Sequence, residues 1–135
     1  MNLNKKDVLF RILMMSLFGL SPYLQHTAFA EVDWNECLEK LSVNWGENCA
    51  ECMNSKDTYN VYYKNICTEQ IDVMVCVQEK HLNWRCQTSF GLASQDTIYA
   101  YACKGSGRYL YWVKESNGNP AFFPTLEEVN EKYAE

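Results

Sequence analysis

Between Ile71 and Gln78 the side chains sort by a period of two. Ile71, Val73, Val75 and Val77 fall on one side, and Asp72, Met74, Cys76 and Gln78 on the other. That period predicts a β-strand. Leu82 to Thr88 repeats the pattern, with Leu82, Trp84, Cys86 and Thr88 on a common side. Thr58 to Lys64, Thr97 to Lys104 and Arg108 to Lys114 are rich in Tyr, Val and Ile and read as further strands. Asn117-Gly118 is a two-residue turn signal, which makes Ala121 to Phe123 a short final strand.

The period changes at both ends. Asp33 and Glu36 have capping-box spacing, and Trp34, Cys37, Leu38, Leu41 and Trp45 recur at helical intervals up to Gly46. This predicts an amphipathic helix over 34–43. At the far end Thr125 and Glu128 form a second capping box, with Leu126, Val129 and Tyr133 on one stripe. The predicted architecture is α+β: a disulfide-stabilised antiparallel β-meander of five or six strands, flanked by an N-terminal and a C-terminal amphipathic helix.

The first thirty residues stand apart from this pattern. Lys5 and Lys6 precede an apolar run from Ile12 to Leu20, Pro22 breaks it, and Ala28-Phe29-Ala30 supplies small residues at −3 and −1. That is the layout of a cleaved export signal, with processing expected after Ala30. The run is well short of the roughly 20 residues that span a bilayer. A single domain is therefore expected over Glu31–Glu135, in the periplasm or outside the cell.

Removing the leader takes away Lys5, Lys6, Arg11 and Asp7, and the formal charge falls from -5 to -7. Such a body is repelled by phosphate backbones and anionic lipid, so nucleic acid and membrane surface are poor partners. A basic protein is electrostatically favoured, and a neutral glycan is indifferent to the charge.

All 7 cysteines (Cys37, Cys49, Cys52, Cys67, Cys76, Cys86 and Cys103) follow the leader. In an exported chain of this size they read as a disulfide framework, each bridge worth about 2–4 kcal/mol. Cys76 and Cys86 flank a predicted hairpin turn and are expected to pair. Cys67 with Cys103 is the expected link between the first and fourth strands. One further bridge then falls among Cys37, Cys49 and Cys52. Seven is odd, so one thiol is left free or joins two chains.

Cys49-Ala50-Glu51-Cys52 has the spacing of a zinc knuckle or a redox pair. No second Cys-x-x-Cys follows, and His81 is the only histidine after the leader, so no metal or cofactor is expected. Glu47 and Glu51 oppose thiolate formation, which favours a structural role over a thiol-active one. His81 lies in a predicted turn, away from any nucleophile, and no catalytic constellation is recognisable.

The richest candidate surface is aromatic. A hairpin about Gly105-Ser106-Gly107 would set Tyr101 opposite Tyr111 and Cys103 opposite Tyr109, with Tyr99 continuing that face and Arg108 at its end. Ala100 and Ala102, opposite Trp112 and Leu110, would face the core. Tyrosine offers contact area and a hydroxyl, so Tyr99, Tyr101, Tyr109, Tyr111 and Arg108 are the expected ligand-binding residues. The plainer reading is that cross-strand tyrosine pairs stabilise the sheet.

Tyr63-Lys64-Asn65-Ile66-Cys67, Ile71-Asp72-Val73, Trp84-Arg85-Cys86 and the run Tyr101 to Tyr109 follow one another in a layout that resembles small exported bacterial β-domains of unknown function. The resemblance spans about residues 58 to 114 and implies a compact antiparallel β-domain with no catalytic residue. Ser106 to Tyr109 also resembles the Ser-Gly-x-Tyr stretch of exported lysozyme inhibitors, whose other motifs are missing here. The expected function is a non-enzymatic exported domain of binding or inhibitor type. A thiol-active protein using Cys49 and Cys52 or the odd cysteine is the alternative, and a structural envelope component is another.

Overall fold

The computed structural model describes residues 32–53 and 56–134. The expected leader and its cleavage point after Ala30 lie outside them. Among the described residues six strands form: β1 (Leu38–Trp45), β2 (Tyr59–Asn65), β3 (Ile71–Glu79), β4 (Trp84–Leu92), β5 (Thr97–Ala102) and β6 (Gly105–Glu115). One helix follows, α1 (Leu126–Lys132).

Every strand pair is antiparallel, but the chain is not one meander. It builds two three-stranded sheets, ordered β1-β2-β5 and β4-β3-β6. The alternation read from Ile71 to Gln78 belongs to a strand buried on both faces. Ile71, Val73, Val75 and Val77 meet Val61, Tyr63, Ile98 and Ala100 of the first sheet and form the main core. Met74 and Cys76 face the other way, beside Trp84, and receive Val129 of α1. The order of layers is therefore first sheet, second sheet, helix.

The N-terminal helix is replaced by one 3-10 turn, Trp34–Cys37, running straight into β1. Asp33 caps this turn, its side chain accepting from the Asn35 N–H at 3.0 Å, while the Glu36 N–H goes to the Asp33 carbonyl and not to its side chain as the expected capping box requires. Cys37, Ser42, Val43, Asn44 and Trp45 are weak helix formers, and the ladder to β2 outbids them. A bulge between Lys40 and Ser42 explains the misleading period. One extra residue in a two-residue repeat places Leu38, Leu41 and Trp45 three and four apart, which imitates a helical stripe.

The last strand is also absent. Asn117-Gly118 turns the chain, with Gly118 at φ +66°, but leads into a 3-10 turn over Pro120–Phe122. The predicted hairpin of β5 with β6 does not form, because the chain changes sheet between Ala102 and Gly105. Gly105 permits this crossing: a Cβ there would stand 2.3 Å from Cβ of Tyr59.

Three disulfides close the fold. Cys76 and Cys86 sit opposite each other on β3 and β4 and are joined. Cys67 pairs with Cys37, not with Cys103, and Cys103 pairs with Cys52. The antiparallel register sets Tyr59 beside Ala102 and Lys64 beside Thr97, so Cys67 and Cys103 occupy opposite ends of the first sheet. That separation, about 20 Å along the strands, is beyond any disulfide. No bridge forms among Cys37, Cys49 and Cys52, and Cys49 is the free thiol.

Candidate functional site

The crossing between sheets scatters the five residues expected to share one platform. Tyr99 and Tyr101 lie on the outer face of the first sheet, where their register partners are Tyr62 and Asn60. Tyr109 and Tyr111 lie on β6 and turn inward, their ring centroids 6.3 and 5.2 Å from that of Tyr63. Arg108 is on the opposite side of β6, its guanidinium 5.7 Å from the Trp84 ring. Ala100 and Ala102 are in the main core, whereas Leu110 and Trp112 pack on the helix side.

On the outer face Tyr62, Tyr99 and Tyr101 form a ladder, with centroids 5.7 Å and 6.3 Å apart in turn. The loop joining β1 to β2 covers one end of it. Glu47 accepts from Asn44, Asn60 and the Tyr62 hydroxyl, the last at 2.5 Å. That bond, with burial and the carboxylate's charge, pushes the Tyr62 phenol up to about 12. Glu51 accepts from the Tyr101 hydroxyl. Arg85 stacks over the Tyr101 ring at 4.8 Å and reaches Glu51 and Glu79, each at 3.8 Å. The hydroxyls of Tyr62 and Tyr101 are thus engaged by the chain's own carboxylates, and Tyr99, 52% exposed, is the one open ring of the ladder.

A different surface is concave. α1 is fixed to the second sheet by Asn130, whose Oδ1 accepts from the Trp84 N–H at 2.9 Å, and by Tyr133, whose carbonyl accepts from Trp84 Nε1 at 3.0 Å. The capping box at Thr125 and Glu128 starts the helix, and Phe122 and Phe123 immediately precede it. Between them and β6 lies a groove of about 700 Å³ lined by Trp112, Phe122, Phe123, Tyr133, Glu128 and Glu131, among others. Trp112 and Tyr133 meet edge to face at 6.1 Å. Phe122 is 64% exposed. Lys114 supports this wall from below, its ammonium 4.7 Å from the Phe122 ring and 5.1 Å from the Phe123 ring.

None of the residues expected to bind a ligand lines this groove. The strand predicted over Ala121 to Phe123 hides it, because the chain there forms a 3-10 turn instead. The available signal was Phe122-Phe123 directly before a capping box: a two-sided strand would bury one ring, whereas a turn leading into a helix can present both.

The cysteine motif has a different arrangement from a redox pair. Cys52 is bonded to Cys103, and the half-buried Cys49 forms no disulfide. Among the described residues no group of three or more His, Cys, Asp or Glu side chains is placed to hold a metal ion. Nor is any helix among them long and apolar enough to cross a membrane. Comparisons with protein-family models, with curated proteins and with solved structures find no match.

Proposed function

We propose that the chain is an exported, non-enzymatic binding domain whose ligand lies in the groove between α1 and β6. The observation that carries this reading is the concave aromatic surface itself. Trp112, Phe122, Phe123 and Tyr133 converge on a volume of about 700 Å³, within the usual size range of ligand sites. Phe122, 64% exposed, stands beside three other rings, and such a clustered apolar surface at a groove favours a recognition role. Three disulfides and the expected leader suit a domain working outside the cytoplasm.

The tyrosine ladder supports a structural role better than a binding one, because Glu47 and Glu51 occupy the hydroxyls of Tyr62 and Tyr101. Backbone and indole NMR of the purified disulfide-bonded protein tests the assignment, with octa-arginine and chitotetraose as probes. Saturable shifts confined to the groove, and reduced by Phe122→Ala, are expected for at least one probe. Shifts clustered instead about Tyr99 would return the site to the first sheet.

A further inference from the structure

The groove holds two features that act on the same kind of ligand. The first is a pair of uncompensated carboxylates. Among the described residues neither Glu128 nor Glu131 has a basic side chain within ion-pair distance. The Glu128 side chain accepts from the Thr125 N–H at 2.7 Å, a bond that leaves its formal charge in place. The second is a set of four rings, of which Phe122, Phe123 and Tyr133 each carry one of the chain's own ammonium groups and Trp112 carries none among the described residues. Lys114 lies over Phe122 and Phe123, and the Lys132 ammonium is 5.2 Å from the Tyr133 centroid. Lys114 is neutralised from beneath by Asp72 at 3.3 Å. Of the charged side chains lining the groove, Glu128 and Glu131 outnumber Lys132, and the whole chain is at -5.

Carboxylates beside aromatic faces attract a cation twice: by direct charge, and through the negative faces of the rings. Guanidinium suits such a site better than ammonium, since it is planar, weakly hydrated and stacks on rings while donating to a carboxylate. We propose, resting on the groove as the ligand site, that its occupant is an arginine- or lysine-bearing segment of a basic protein partner. The cationic side chain would enter between Trp112 and Phe122 and pair with Glu128 and Glu131. The rest of the segment would run along the rim, where the acidic body of the domain draws a basic surface towards it.

The test compares octa-arginine with chitotetraose by NMR titration of the purified disulfide-bonded protein. The variants are Phe122→Ala and the double substitution Glu128→Gln with Glu131→Gln. Glutamine serves in a capping box as glutamate does, so the double variant keeps its helix, and unchanged helical chemical shifts verify this. The expected result is saturable octa-arginine shifts at Trp112, Phe122 and Tyr133. Each variant should weaken binding about tenfold, and raising salt should weaken it further. Octa-arginine shifts lying elsewhere on the surface, or unaffected by the double substitution, overturn the proposal. Chitotetraose saturating the groove while octa-arginine does not also overturns it, and leaves the groove standing as a glycan site. If neither probe moves a groove resonance, both the cation proposal and the groove reading fall.

Discussion

Asp72 and Lys114 face each other across the ladder of β3 and β6, their charged groups 3.3 Å apart, and the Asp72 side chain has no exposed surface. The pair links the interior to the groove, because the same ammonium lies under Phe122 and Phe123. Asp72 also accepts from the N–H groups of Gly91, Asn117 and Gly118, at 2.8, 3.1 and 3.0 Å. One carboxylate therefore fixes both the bulge in β4, where Ile71 pairs with Leu92 but Val73 with Ser89, and the turn that aims the chain at the groove.

Acid should attack the protein at this point. Burial alone would raise the Asp72 pKa. The bonds from Gly91, Ser116, Asn117 and Gly118 outweigh burial and hold it at about 2, against an ordinary 3.8. A carboxyl depressed by folding stabilises fully above its unfolded pKa and loses that contribution as pH falls towards the folded value. The loss is expected between about pH 5 and pH 2 and amounts to about 2 kcal/mol. Urea midpoints measured at pH 6 and pH 2.5 check it. In Asp72→Asn the midpoint at pH 6 should already be lowered, and the pH 6 to pH 2.5 difference should shrink.

Gly105 and Gly118 should respond differently to alanine. At Gly105 the new Cβ meets Tyr59 in the adjoining sheet at 2.3 Å. Two sheets must separate to admit it, so Gly105→Ala is expected to cost about 3 kcal/mol. At Gly118 nothing lies within 4 Å, and the penalty is the left-handed backbone alone, φ +66°. Gly118→Ala is expected to cost about 1 kcal/mol. Thermal melts of the two variants give the order directly, and equal losses would contradict the close approach at Gly105.

That glycine also shows where sequence reading stops. Lys104-Gly-Ser-Gly-Arg108 announces a turn, and a turn is present, but nothing local says which sheet the next strand joins. Pairing between sheets is set by packing between residues far apart in sequence, here Gly105 on Tyr59. The two-residue periods of β3 and β4 were legible because the two faces of each strand meet different surroundings, and β2 and β6 were legible from their Tyr, Val and Ile content. β1 was not, because its bulge shifts that repeat by one. The tyrosine platform followed from assuming that β5 pairs with its sequence neighbour. The groove depends on Trp112, Phe122 and Tyr133 meeting from three elements, which no single window of sequence contains.

The disulfides should differ in weight according to the loops they close. Cys52–Cys103 closes 51 residues, Cys37–Cys67 closes 30 and Cys76–Cys86 closes 10. On the chain-entropy model their contributions fall in that order, from about 4 to about 3 kcal/mol. Cys49→Ser should leave stability unchanged and give a protein with no titratable thiol. Alkylation with peptide mapping checks the pairing: label on Cys49 alone is expected. Label on Cys103 together with a Cys49–Cys52 bridge would contradict it and revive the redox alternative.

Tyr62 and Tyr63 are neighbours on β2 with opposite fates for their hydroxyls. Tyr62 donates to Glu47 at 2.5 Å, so Tyr62→Phe leaves a half-buried carboxylate without one of its donors. A loss of about 1–2 kcal/mol is expected. Tyr63 is 2% exposed, and its buried hydroxyl has no hydrogen-bond partner among the described residues. Burial pushes that phenol well above its ordinary 10, and the neighbouring phenols of Tyr109, Tyr111 and Tyr59 push it the same way. Removing an unpartnered buried hydroxyl costs no bond and relieves its desolvation. Tyr63→Phe is therefore expected to be neutral or to stabilise by up to about 1 kcal/mol. Denaturant midpoints of the two single variants decide the matter. A clear loss in Tyr63→Phe would mean that the hydroxyl has a partner, such as a bound water.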